Sequence, residues 1–112
     1  MPKSVNDLLL NYVEEIKNIY GCKLQMVILY GSYARGDYNA ESDIDIMILA
    51  SETDLELKKY QSKLAAVTFD YNLDNNIEIN PVVVSIDTFK KWINVYPFYQ
   101  NVDKEGVRLY AA

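Results

Sequence analysis

A chain of 112 residues, half of them hydrophobic and 24% charged, has the composition of a single domain spanning residues 1–112, with one core and no room for a second lobe. A formal net charge of −5 with no basic run argues against broad binding to nucleic acid, and the absence of histidine removes imidazole bases, imidazole zinc sites and serine–histidine triads. One cysteine, Cys22, closes no intrachain disulfide, which predicts a reducing cytoplasm and a buried thiol; no leader-like or membrane-spanning apolar run is present, so neither export nor membrane insertion is expected.

The first predicted element is an amphipathic helix over Ser4 to Tyr20, with apolar residues at Val5, Leu8, Leu9, Val13, Ile16 and Ile19, Ser4 as N-cap and Gly21 as its end. Leu24 to Tyr30 comes next as a β-prone run. Gly31 then permits a sharp turn, Ser32 to Ala34 open a helical turn, and Gly36 with the polar stretch Asp37 to Ser42 returns the chain as a loop. Asp43 to Ala50 is the second strand, and Ser51 to Asp54 supply caps for a helix from Leu55 to about Asp70. Asn72 to Asn76 reads as a polar turn and Ile77 to Ser85 as a third, β-branched strand. A short helix runs from Asp87 or Thr88 through Trp92, Pro97 interrupts the stretch after it, and Gly106 to Tyr110 is a short last strand. The order predicts an α/β layer: one small mixed sheet covered by helices.

Two aspartates in the second strand carry the chemical signal. Residues i and i+2 of a strand share a face with Cα atoms roughly 6.5 Å apart, so Asp43 and Asp45 converge while Ile44, Ile46 and Ile48 point into the core. Two carboxylates held that close oppose each other's ionisation unless a cation lies between them, and Mg²⁺ suits such oxygens while keeping positions open for phosphates. The bland alternative is a solvated strand face. The turn supplies the context that weighs against it: Gly31 allows close backbone approach, and the amides that open the turn, with the Ser32 hydroxyl, are directed at an anion. Arg35 adds charge to the same phosphate, or else holds the loop by pairing with Asp37 or Glu41. Phosphates at the turn and a metal at Asp43 and Asp45 then face each other across one cleft.

Gly31-Ser32, Arg35-Gly36 and Ser42-Asp43-Ile44-Asp45, with ten residues between Ser32 and Asp43, resemble the signature of the DNA polymerase beta-like nucleotidyltransferase superfamily. The likeness is nearest to its minimal nucleotidyltransferases, small prokaryotic proteins that pair with HEPN-domain partners. The resemblance implies the polymerase beta-like nucleotidyltransferase fold, ATP as substrate, two Mg²⁺ ions, and a third carboxylate on the strand after the Asp-x-Asp helix. Glu78, between Ile77 and Ile79, is taken as that acid, completing the metal site and helping to take the proton of the attacking hydroxyl; Asn76 or Asn80 is the alternative occupant of the position. Catalytic residues are thus expected at Asp43, Asp45 and Glu78, and nucleotide-binding residues at Gly31, Ser32 and Arg35.

No part of the chain is left over for an acceptor domain, so the second substrate is expected on a partner. By resemblance that partner is a HEPN-domain toxin, and the chain an antitoxin transferring AMP to one of its tyrosines. Three other readings stay open: a non-catalytic module that neutralises its partner by contact, a nucleotidyltransferase acting on small molecules such as aminoglycosides, and a subunit of an oligomeric complex whose role is structural. The aromatic residues Trp92, Tyr96, Phe98, Tyr99 and Tyr110 either pack the last helix on the sheet or form a surface for a partner or an adenine ring.

Overall fold

In the computed structural model, which describes residues 3–112, apolar periodicity sets the elements and caps set their ends. Helix α1 spans Lys3–Tyr20, and its stripe of Leu9, Tyr12, Val13 and Ile16 is buried. Ser4 lies inside this helix rather than capping it, and Met1 and Pro2, which belong to the stretch read for a leader, lie outside the described residues. A 3₁₀ turn at Gly21–Lys23 leads into β1, Leu24–Tyr30, followed by the single helical turn α2, Ser32–Arg35. Strand β2 is Ile44–Ala50, so Asp43 stands one residue before it.

Thr53 caps α3, Asp54–Leu57, in a capping box: its hydroxyl accepts from the Glu56 amide while the Glu56 carboxylate accepts from the Thr53 amide. A 3₁₀ turn over Lys58–Tyr60 joins it to α4, Gln61–Asn75, which ends on Asn76 in the left-handed conformation. The helix therefore runs through the segment expected to be a turn. Strand β3, Ile79–Ser85, begins two residues later than expected. Helix α5 is Ile86–Trp92. Pro97 opens helix α6, Pro97–Glu105, instead of interrupting the chain, because the first helical position needs no amide hydrogen. Strand β4, Val107–Ala111, completes the set.

The sheet has the order β3-β2-β1-β4 and is mixed: β1 is antiparallel to both β2 and β4, whereas β2 and β3 run parallel. Alternation sorts the side chains onto two cores. Ile44, Ile46 and Ile48 pack with Leu9, Ile16 and Leu64 under α1 and α4. Ile28, Met47, Leu49 and Val84 meet Phe89 and Val102 under α5 and α6. Each fully buried isoleucine of β2 contributes about 1.5–3 kcal/mol relative to exposure, so a register slip that turned them outward is strongly disfavoured.

That register settles which face the aspartates take, the one shared with Met47 and Leu49. The outer edge of β3 is engaged at both ends. The Ile79 amide donates to Asn72 Oδ1 (2.7 Å), the Asn72 side-chain amide donates back to the Ile79 carbonyl (3.3 Å), Pro81 has no amide hydrogen, and the Ser85 amide donates to Asp54 Oδ1 (2.8 Å).

Candidate active site

The turn after β1 has the backbone that its sequence demands. Gly31 sits at φ 76°, ψ −154°, and a Cβ there would run into the carboxylate of Asp45, so this close approach admits only glycine. The Ala34 and Arg35 amides both donate to the Gly31 carbonyl (3.1 Å each), and the Gly36 amide to that of Ser32 (2.9 Å). The amides of Ser32 and Tyr33 are left as the turn's spare donors among the described residues. Tyr33 stacks on Tyr38 with ring centroids 4.4 Å apart and planes 8° from parallel, fastening the returning loop to the turn.

Gly31, Ser32, Arg35 and Asp45 line one cavity of about 370 Å³. Its far wall is α6, through Phe98, Asn101 and Glu105, and its floor includes Tyr30, which meets Phe98 edge to face at 5.6 Å. A larger hollow of about 530 Å³ between α4 and β3 holds none of the motif residues. Asp45 is half-buried and Asp43 exposed at the start of the strand. Burial first, and then the charge of Asp43, push the Asp45 carboxyl above its ordinary range; a hydrogen bond from Asn80 and the charge of Arg35 act in the opposite sense. The Tyr30 hydroxyl is raised as well, by burial and by Asp45. Two like carboxylates, one of them poorly solvated, form an all-oxygen donor set short of positive charge. Such a set fits a hard divalent cation, held by Asp43 and Asp45.

The third acid is placed differently from the expectation. Asp45 stands in register with Asn80, not with Glu78, and it is the Asn80 side chain that acts on its carboxylate. Glu78 lies before β3, exposed, its carbonyl accepting the Ile44 amide (2.8 Å), and it borders a separate hollow with Tyr33, Glu41 and Ser42. Among the described residues no three histidine, cysteine or acidic side chains converge in a way that could hold a metal ion. The Asp43, Asp45 and Glu78 trio is therefore not assembled, and the neutral amide of Asn80 occupies the place beside Asp45.

Arg35 holds the loop through Asp37 (3.3 Å), with Glu105 of α6 as a further partner (3.7 Å) and no pairing to Glu41, while remaining on the cavity wall. Asn101 and Glu105 are not marked as part of the site by sequence, whereas Phe98, readable either as core packing or as a surface for a partner or an adenine ring, lines this cavity. Cys22 is exposed, contrary to expectation, because the 3₁₀ turn after α1 carries it past the buried stripe. The aromatic tail divides: Tyr99 packs on Phe89, whereas Tyr96 and Phe98 keep about half their surface exposed.

The family described as polymerase beta, nucleotidyltransferase matches residues 14–111. The chain belongs to this family. Among nucleotidyltransferases of this kind it resembles two proteins of Methanocaldococcus jannaschii provisionally named protein adenylyltransferases. One is 35% identical over 103 residues, covering 92% of this chain and 96% of the relative. The other is 37% identical over 107 residues, covering 88% and 91%. A chain from a crystal structure described as a toxin–antitoxin with AMP-PNP superposes with a TM-score of 0.54 at 25% identity, over 92% of this chain and 73% of that one. The mixed four-stranded sheet with its helices is thus the nucleotidyltransferase fold.

Proposed function

We propose that this chain is a Mg²⁺-dependent nucleotidyltransferase that moves AMP from ATP onto a protein hydroxyl, a tyrosine of a HEPN-domain toxin, and so acts as a cytoplasmic antitoxin. The observation that carries the reading is the single cavity in which the Gly31–Ser32 turn and Asp45 face each other, with Asp43 beside them and Arg35 on the wall. The names of the M. jannaschii relatives support protein adenylylation, and the neighbouring toxin–antitoxin structure with AMP-PNP supports both the nucleotide and a protein partner.

The chain's own residues divide the work. The spare amides of Ser32 and Tyr33, the Ser32 hydroxyl and Arg35 hold the terminal phosphates and orient the leaving pyrophosphate. Asp43 and Asp45 would hold Mg²⁺, which when bound would neutralise phosphate charge and lower the pKa of the attacking hydroxyl. The acceptor oxygen forms a bond to the α phosphorus as the bond to the bridging oxygen breaks, and the hydroxyl proton passes to solvent. Positioning and charge supply most of the acceleration.

Labelled ATP with Mg²⁺ tests the reading on the protein purified with its co-encoded partner. Label is expected on a partner tyrosine, and Asp43→Asn or Asp45→Asn is expected to lower transfer by at least about 100-fold. A second reading, neutralisation by contact alone, is favoured by one observation: the neutral Asn80 where a third acid was expected. A stable but unlabelled complex would establish it in place of the first.

A further inference from the structure

Helix α4 carries apolar side chains on two opposite faces. Toward α1 and the sheet it buries Leu64 and Thr68. On the other side Phe69 keeps 65% and Leu73 69% of its surface exposed, and Ala66, a turn earlier, is exposed too. Spacings of three and four residues put these three in one stripe on the solvent side of the helix, with Phe69 at the edge where it also borders the hollow between α4 and β3. An apolar stripe on the solvent side of a helix that already has a core side calls for a covering partner.

The charges beside the stripe say what kind. Lys63 stands near the start of the helix and Asp70 and Asp74 near its end, all exposed and, by turn count, all on the same flank. Among the described residues none of the three has an ion-pair partner. This pattern is complementary to itself when reversed. Two antiparallel copies of α4, related by a two-fold axis between Ala66 and Phe69, set each Phe69 over the other copy's Ala66, large against small. The same operation brings Lys63 opposite position 72 of the other copy, between its Asp70 and Asp74. A parallel pair instead sets the charged flank against the uncharged one that bears Ala65 and Asn72, and leaves the charges unmatched.

We propose that the α4 stripe is the contact of an isologous dimer, and that its occupant is a second copy of this chain. The cavity of Gly31 and Asp45 opens on the α6 side of the sheet, so both sites of the dimer stay accessible. A helix of 15 residues is about 22 Å long and gives a contact at the small end of specific interfaces, so dissociation on the order of 10 µM is expected.

Sedimentation equilibrium of the full chain from about 1 to about 200 µM tests the proposal. The expected mass rises from 12.9 kDa toward twice that value, and Phe69→Glu, with unchanged circular dichroism, stays at the single mass throughout. Lys63→Glu alone, and Asp70→Lys with Asp74→Lys in another chain, each weaken self-association by at least about 10-fold. Mixed one to one, the two variants recover it, because every contact then pairs opposite charges. A monomer at the highest concentration overturns the proposal, as do a dimer indifferent to Phe69→Glu and a mixture without recovery. Protection of α4 from hydrogen exchange only when a different protein is added also overturns it, and assigns the stripe to that protein.

Discussion

Asp45 is a half-buried carboxylate on the cavity wall, and under the proposed function it would be a metal ligand. Its carboxyl titrates above the ordinary range because of burial and Asp43, so its contribution to stability is full below the unfolded value near pH 4 and is lost as pH rises through the folded value. Asp45→Asn is therefore expected to raise the melting temperature by a few degrees at pH 7, and the gain to shrink toward zero in melts recorded below about pH 4. Added Mg²⁺ should reverse the order by stabilising the parent chain and not the variant. Asn80 permits a complementary measurement. Asn80→Asp sets a third carboxylate in register with Asp45, so its melting temperature in a chelator should fall below that of the parent, and its upward shift on adding Mg²⁺ should exceed the parent's.

At the scale of elements, α1 and α4 are joined by a buried hydrogen bond of 2.7 Å between the hydroxyls of Tyr12 and Thr68, in surroundings that push the Tyr12 pKa up to about 12. Thr68→Val keeps the shape and strands the Tyr12 hydroxyl; urea unfolding should register a loss of about 1–3 kcal/mol. In the turn before α2, Gly31→Ala combines a positive φ with a collision at Asp45, and should cost about 1–3 kcal/mol while lowering nucleotide affinity in a direct binding titration. The legibility of these elements in the sequence tracked the range of the forces that set them. Strand β1 was readable to both ends because its apolar run and Gly31 are local signals. The end of α4 was not, since Asn72 looks like a turn residue and serves as a helical residue that clamps Ile79 seven positions on. The same limit applies to the site: the Gly-Ser and Asp-x-Asp pieces are contiguous, whereas Arg35 finds Glu105 only through the fold, and the choice of Asn80 over Glu78 beside Asp45 depends on register between two strands.

Considered as a whole, the molecule closes one side of its central strand with its last strand. Strand β4 pairs with the central β1 from Met26↔Ala111 to Leu29↔Val107, and Lys17 of α1 rests 5.1 Å from the centroid of the Tyr110 ring. Removing residues 107–112 bares one side of β1, and calorimetry should show loss of the cooperative melting transition rather than a modest shift. On the far side of the sheet the arrangement is reversed. With Asn72 and Asp54 engaging the outer groups of Ile79 and the Ser85 amide, and Pro81 lacking an amide hydrogen, that margin leaves the Val83 amide as the outward donor for an incoming strand. The molecule is thus guarded at one end against fibre-like polymerisation, and any chain that meets it there is recognised mainly by side chains, whose identity selection can change, rather than by a backbone common to every protein.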